Sequence, residues 1–341
     1  MYIDYFGLTD YPFRITPDTD YLYMSAAHSR AKAYMEYAIF NREGFVVITG
    51  EIGSGKTTLI KKLLIELDKD VLVAKIFQTQ LDEVELLQAI LVEFGLNPFS
   101  AKKVELINMI NQFLVNSYLD GKQVLLIIDD AQNLSKRVLE EITMLSSVET
   151  QKEKILHVIL VGQPELNHKL ESPDMEQLLQ RVSLRYHVRA LTAEETIEYI
   201  KHRLNVAGMK TIVFSNEICK TIYDYTGGIP RLINTLCDTA LTCSYADGLK
   251  IVDKAEMETA IDELQWNKFE DRKKIQAENE DFSRQSLYSD NADIKSTMEN
   301  LTESKEVTQG VYGSIASRAL VEISKQLRRI ADTMEANNTS K

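Results

Sequence analysis

Gly50-Glu51-Ile52-Gly53-Ser54-Gly55-Lys56-Thr57, followed by Thr58, is the run of residue types and spacings that best serves a polyphosphate. Its glycines let the main chain curl so that successive N–H groups point at one phosphate, while the Lys56 ammonium reaches the β- and γ-oxygens. The Thr57 hydroxyl is suited to magnesium. An apolar stretch, Phe45 to Thr49, leads into the run, and an amphipathic one, Thr58 to Leu67, leaves it. Strand, tight loop and helix N-terminus follow one another, and the helix dipole adds to the attraction for an anion. The expected ligand is a nucleotide bound with Mg2+.

The metal needs a second oxygen donor, and Val124-Leu125-Leu126-Ile127-Ile128-Asp129-Asp130 supplies an apolar strand ending in two carboxylates. Asp129 is expected to hold magnesium through its water shell, and Asp130 to orient and deprotonate the attacking water. Glutamate is usual at that second position, and aspartate reaches about 1.5 Å less far. Slow hydrolysis is the expected consequence.

Three more stretches carry polar groups suited to the same reaction. Gln163 follows the apolar run Val158 to Val161 and precedes Pro164, so it is read either as a sensor of the γ-phosphate or as the opening of a loop. Arg181 ends a helical stretch and Arg185 lies in the strand that follows. A guanidinium from either, Arg181 first, can stabilise transition-state charge in a neighbouring subunit; the plainer reading is a surface ion pair. Arg231 follows Gly227-Gly228-Ile229-Pro230 at a helix start, where it would fold over the nucleotide of its own chain. No Asn-Lys-x-Asp guanine motif is present.

The elements that must position these groups fall into a clear order. Phe45 to Thr49, Val71 to Phe77, Val124 to Ile128, Leu156 to Val161 and Arg185 to Val188 are candidate strands, alternating with amphipathic segments. That alternation predicts a parallel sheet with crossover helices, an α/β nucleotide-binding domain over 1–190 that includes the N-terminal aromatic segment. From Thr192 to Leu264 the pattern is helical, with a capping-box start at Thr192-Ala193-Glu194-Glu195 and a break at Gly227-Gly228. A helical lid over 191–266 is predicted. Acidic, amide and hydroxyl residues dominate 267–310, which reads as a disordered polar linker. Over 311–336, Ile315, Ala319, Ile323, Leu327, Ile330 and Met334 recur at three- and four-residue intervals, so an amphipathic helix follows.

Composition narrows the class. The 341 residues are 44% hydrophobic and 26% charged, the proportions of a globular protein with room for two domains. With 51 acidic against 39 basic residues the formal charge is −12, which disfavours a general polyanion binder. No apolar run approaches the ~20 residues of a membrane-spanning helix. The start Met1-Tyr2-Ile3-Asp4-Tyr5-Phe6 has no basic segment before an apolar one, so no signal peptide and a cytoplasmic location are expected. Cys219, Cys237 and Cys243 form no CxxC pair and read as reduced, buried thiols. His28 and the other histidines show no metal-ligand spacing.

Taken in order, Tyr5-Phe6-Gly7-Leu8, Pro12-Phe13-Arg14-Ile15-Thr16-Pro17-Asp18, Leu22-Tyr23, the phosphate loop, Asp129-Asp130-Ala131-Gln132-Asn133-Leu134, Val161-Gly162-Gln163-Pro164-Glu165-Leu166, Gln180-Arg181-Val182, His202-Arg203-Leu204 and Gly228-Ile229-Pro230-Arg231-Leu232-Ile233-Asn234 resemble the ExeA/general secretion pathway protein A group of AAA+ ATPases. The secretion ATPases of exosortase and exopolysaccharide loci are a close subgroup. The resemblance covers about 1–266. It implies an α/β P-loop NTPase of AAA+ type, with a parallel five-stranded sheet, helices on both faces and a small helical lid. It also implies ATP and Mg2+ as ligands, hydrolysis to ADP and phosphate, a nucleotide-linked homo-oligomer, and partners in an envelope export system at the inner membrane. Phe13 or Tyr23 lies where the group packs adenine; the plainer reading is that aromatics before a strand are core residues.

This chain departs from the group in having Asp130 for glutamate, and in carrying a polar linker and a short helix where full-length members continue into a membrane helix and a peptidoglycan-binding domain. Direct peptidoglycan contact is not expected. The competing readings are a DNA-binding regulator of the TnsC/TniB type, against which the acidic balance argues, and a nucleotide switch that barely hydrolyses. The C-terminal helix, with Lys325, Arg328 and Arg329, suits a coiled coil, an anionic membrane surface or a docking partner.

Overall fold

Five parallel strands form the framework among the described residues: β1 (Phe45–Gly50), β2 (Val71–Ile76), β3 (Gln123–Ile128), β4 (Leu156–Gly162) and β5 (Val182–Val188), in the order β2-β3-β4-β1-β5. The computed structural model describes residues 2–275 and residue 278, apart from 42, 43, 78, 100 and 150–152. The helices are α1 (Tyr2–Phe6), α2 (Ala26–Phe40), α3 (Lys56–Glu66), α4 (Glu83–Glu93), α5 (Lys103–Leu119), α6 (Lys136–Leu145), α7 (Glu165–Leu170), α8 (Glu176–Leu179), α9 (Ala193–Val206), α10 (Asn216–Thr226), α11 (Pro230–Ala246) and α12 (Lys254–Leu264).

The two-residue period of the strands sorts their side chains between two apolar layers. Phe45, Val47, Leu126, Val158 and Leu160 face one way, onto a core shared with α4, α5 and α6. Val46, Ile48, Leu125, Ile127 and Ile159 face the other way, with Met35 of α2 and Leu59 and Leu63 of α3. Every residue of β1 is buried, because the strand is flanked by β4 and β5 and covered on both faces. Each fully buried valine or isoleucine there stabilises the sheet by roughly 1.5–3 kcal/mol, which holds the strand leading into the phosphate loop rigid. β5 begins at Val182, before the expected start at Arg185. Phe45 pairs with Val182, and the Ser183 hydroxyl donates to the Phe45 carbonyl at 2.7 Å, so the edge strand is zipped from its first residue.

The lid helices α9 to α12 enclose a separate core of Ile200, Ile222, Ile233, Leu236, Cys237 and Leu241. The three cysteines are reduced and buried, and desolvation pushes the thiols of Cys219 and Cys243 up to about 11. The N-terminal aromatic segment packs on the lid. Tyr2, Phe6, Leu8, Phe13 and Tyr21 lie in this lid core rather than in the α/β layer, with the Tyr2 hydroxyl donating to Asp238 of α11 and the Thr9 N–H to the Ala207 carbonyl. Its aromatic side chains find an apolar surface on the lid, while both faces of the sheet are already covered by helices.

The chain divides into compact units at Lys268 and Phe269. Of the expected linker over 267–310, residues 267–275 and 278 are described, and 269–275 are helical. Arg272 and Lys273 set their cations 5.7 and 5.2 Å from the Phe269 ring, the i,i+3 and i,i+4 contacts that support a helical turn. Residues 276, 277 and 279–310 of that linker, and the helix expected over 311–336, lie outside the described residues.

Candidate functional site

The carboxyl ends of β1, β3 and β4 open into a cleft of about 590 Å³ that the lid closes from the opposite side. Crevices outside the carboxyl ends of parallel strands are the usual ligand positions in open α/β sheets. At β1, Gly50 hands the chain to the loop Glu51–Gly55, and α3 starts at Lys56 with no side chain capping its N-terminus. The first N–H groups of α3 therefore face the cleft as an anion seat. Lys56, 8% exposed, donates to the carbonyls of Gly50 and Glu51 at 2.7 and 2.9 Å. Burial lowers its affinity for the proton, and the nearby carboxylates Asp129 and Asp130 oppose that shift. Ile52, Gly53, Gly55, Thr57 and Thr58 line the cleft beside it; the Ser54 side chain is buried beneath.

Beneath Lys56, the Thr57 hydroxyl donates to Asp129 Oδ2 at 2.6 Å. Desolvation raises the pKa of Asp129, while that hydroxyl and the Asp130 N–H, 2.9 Å from Oδ1, hold it down. Asp130 adopts a left-handed conformation (φ 53, ψ 35), one that aspartate tolerates better than most residues. This turn breaks the strand direction and leaves the Asp130 side chain exposed in the cleft. Gln163, at the end of β4, also lines it.

The other end of the cleft is built from the segment Arg14–Tyr23 against α9 and α11. Tyr23 lines it, its hydroxyl 2.5 Å from Glu198 Oε2. Phe13 does not. It is 2% exposed and sits edge-on to Phe214 in the lid core, so its ring has no face free for a base. The segment is tied to the lid by Arg203, whose Nε donates to the Pro12 carbonyl at 2.6 Å and Nη2 to the Arg14 carbonyl at 3.2 Å, and by Asn234, which donates to the same Arg14 carbonyl.

Arg231, at the start of α11, lines the cleft against the phosphate loop. Arg181 and Arg185 stay outside the cleft of their own chain. The first donates to the Thr143 carbonyl and Ser146 Oγ at the end of α6; the second pairs with Glu171 at 3.3 Å on the surface.

A family model described as the AAA domain matches residues 40–170. The Aeropyrum pernix ORC2 protein, in its complexes with ADPNP and ADP, superposes with a TM-score of 0.55 at 15% identity, over 70% of this chain and 67% of that one. Cdc6p from Pyrobaculum aerophilum gives 0.57 at 15% identity, over 76% and 70%. The fold is that of an AAA-type P-loop NTPase. In sequence, General secretion pathway protein A of Aeromonas hydrophila is 40% identical over 250 residues, 73% of this chain and 46% of the relative. The chain thus spans a little under half the length of the curated relative it matches.

The AAA domain's oxygen donors fit a magnesium ion. Among the described residues no cluster of three histidine, cysteine or carboxylate ligands exists, so a transition-metal cage is not built there. One hydroxyl and one carboxylate in contact, Thr57 and Asp129, are the sparse hard-oxygen set that magnesium takes when phosphates and water complete its shell. No described helix is long and apolar enough to cross a membrane.

Two further groups in the cleft have roles that the sequence does not announce. His28 is 2% exposed under the loop, with Nε2 2.8 Å from the Ser54 carbonyl and Nδ1 2.7 Å from Ser25 Oγ. A carbonyl only accepts, so Nε2 carries the proton and the Ser25 hydroxyl donates to Nδ1. Burial pushes the His28 pKa below its ordinary value. Arg203 is the other. Its spacing in α9 is that of an ordinary lid residue, and only the fold brings Pro12 and Arg14 to it.

Proposed function

We propose that the chain hydrolyses Mg-ATP to ADP and phosphate, and that its nucleotide-linked self-assembly serves to assemble or energise a secretion or exopolysaccharide export apparatus at the cytoplasmic face of the inner membrane. The observation that carries the catalytic part is the 2.6 Å pairing of Thr57 with Asp129 beside Lys56 at an uncapped helix N-terminus. Lys56 has three donor hydrogens and spends two on loop carbonyls, which leaves one for a phosphate oxygen. Thr57 and Asp129 would hold magnesium, which when bound neutralises charge on the transferred phosphoryl group. Asp130 accepts the proton of the attacking water, the Gln163 amide faces the γ-phosphate, and Arg231 closes on it from the lid. Tyr23 offers a ring to the base. Arg181 or Arg185 of a second copy supplies a further cation, so turnover depends on assembly. The export role is supported by the relative's name, General secretion pathway protein A.

Phosphate release from ATP, followed with Mg2+ and with EDTA across protein concentrations, tests this. Magnesium-dependent turnover that rises more steeply than protein concentration, and that Lys56→Ala abolishes, is expected; no release at any concentration overturns the catalytic reading. Unaltered protein secretion and exopolysaccharide in a strain lacking the gene would overturn the export role.

A further inference from the structure

Gln132 lies behind the cleft, in the 3-10 turn Ala131–Asn133 that follows Asp130. Its Nε2 donates to Asp130 Oδ1 at 3.2 Å, and its Oε1 accepts the Gln163 N–H at 3.0 Å. The second contact fixes the first. A main-chain N–H can only donate, so the oxygen of the side-chain amide must face Gln163, and its nitrogen is then left to face the carboxylate.

The turn that carries this amide is anchored in its own right. Lys169 of α7 donates to the main-chain carbonyls of Gln132 and Leu134 at 2.5 and 2.8 Å. Room for the amide is made by Gly162, the last residue of β4. A methyl group there would stand 2.8 Å from Gln132 Oε1 and 3.0 Å from Leu166 Cδ2.

We propose that Gln132 is the positioning residue for the hydrolytic step: it aims the Asp130 carboxylate and ties that aim to the position of Gln163. This rests on the reading of the site as an ATPase. The carboxamide is planar and rigid, so its acceptor on Gln163 and its donor on Asp130 move as one body. Contact of the γ-phosphate with the Gln163 side chain shifts the main chain at 163, and the same displacement reaches Asp130 through a single side chain. Two residues on different strand ends thereby respond together to the state of the nucleotide. Glutamine alone suits the position. Glutamate would keep the acceptor but set a second carboxylate against Asp130; asparagine is one methylene too short to span both partners; alanine loses both contacts.

The experiment compares wild type with Gln132→Ala, Gln132→Glu, Asp130→Asn and the double variant Asp130→Asn/Gln132→Ala. It measures kcat and KM for ATP, Kd for a non-hydrolysable ATP analogue and the thermal midpoint. Both Gln132 variants are expected to lose about tenfold or more in kcat with Kd within about twofold of wild type, because only the proton-accepting group is disturbed. The double variant is expected to be no slower than Asp130→Asn alone, since a residue acting through Asp130 has nothing left to act on. Gly162→Ala, which keeps Gln132 but crowds its amide, should show the same loss confined to kcat, and it serves if removal of the side chain prevents folding. Unchanged kcat in the Gln132 variants, losses that add in the double variant, or a parallel fall of kcat, affinity and thermal midpoint would each overturn the inference. A wild-type protein without turnover would instead overturn the ATPase reading itself, and the inference with it.

Discussion

The main-chain N–H of Arg231, in the first turn of α11, donates to the carbonyl of Gly53 in the phosphate loop at 3.2 Å. Lid and loop are joined there without a side chain, and the closeness of the two backbones demands glycine. Gly53 has φ +80, and a methyl group on it would stand 2.5 Å from the Arg231 Cβ.

Gly53→Ala should therefore push the lid off the loop. Nucleotide affinity, measured by calorimetry, is expected to fall tenfold or more, together with about 1–2 kcal/mol of stability from the positive φ and the clash. Gly121→Ala is the control. Its φ is +75 and nothing lies within 4 Å of the added methyl, so it should cost about 1 kcal/mol and leave affinity unchanged. Equal affinities in the two variants would mean that the lid contact is irrelevant to binding.

Asp130→Asn keeps the size of the side chain and removes its basicity. Loss of a general base costs about 10²–10⁴-fold in rate, so kcat should drop by at least two orders of magnitude with little change in nucleotide affinity. Asp130→Glu adds about 1.5 Å of reach and is expected to match or exceed the parent. An Asn variant as active as wild type would remove Asp130 from the reaction.

Arg203 is 7% exposed, bonded to two carbonyls of the N-terminal segment and stacked over Tyr21 at 4.7 Å. Arg203→Ala leaves the Pro12 carbonyl without its donor and the Arg14 carbonyl with Asn234 alone, at a cost of about 1–3 kcal/mol. The segment that forms one wall of the cleft should loosen, raising KM for ATP more than it lowers kcat. Lysine should not rescue it, since an ammonium cannot reproduce the planar fork or the stacking. Steady-state kinetics of both variants decide the point.

The pKa of His28 is lowered by burial, so at mildly acidic pH the unfolded chain binds the proton more readily than the folded one. Its contribution to stability is complete above the unfolded value of about 6.5, and declines as pH falls from there through the lowered folded value. Denaturation midpoints between pH 7.5 and 5 should fall in wild type and fall less steeply in His28→Gln. The slope should not vanish, because burial also lowers the pKa of His202. Parallel slopes in the two proteins would show that His28 is not what the acid titrates.

What was legible in the sequence was whatever the main chain itself encodes. The glycine spacing of Gly50–Gly55 dictates a curled loop, and the apolar runs before Asp129 and Gln163 dictate two strand ends pointing the same way. The strands lie within a few residues of where their β-branched runs place them. Groups that act through a distant carbonyl were not legible. His28 shows its role only when Ser54 lies above it, Arg203 only when the chain start returns to α9, and Gln132 only when β4 comes alongside β3. Phe13 shows the converse: its core reading was open in the sequence, but an aromatic residue before a strand carries no sign of which core will bury it, and here the lid did.

The order of strands in the sheet also bears on how the protein is made. Among the described residues β1, which leads into the phosphate loop, pairs with β4 and β5, the last two described strands to leave the ribosome, and long-range parallel pairing of this kind is slow to form. A nascent chain stalled before Leu156 already carries the whole Gly50–Thr57 sequence, yet it has neither of the strands that flank β1 nor the helix that brings Arg231. Competence for nucleotide is thus acquired late in translation, and until then the exposed edges of β1 are the surfaces a chaperone would need to shield.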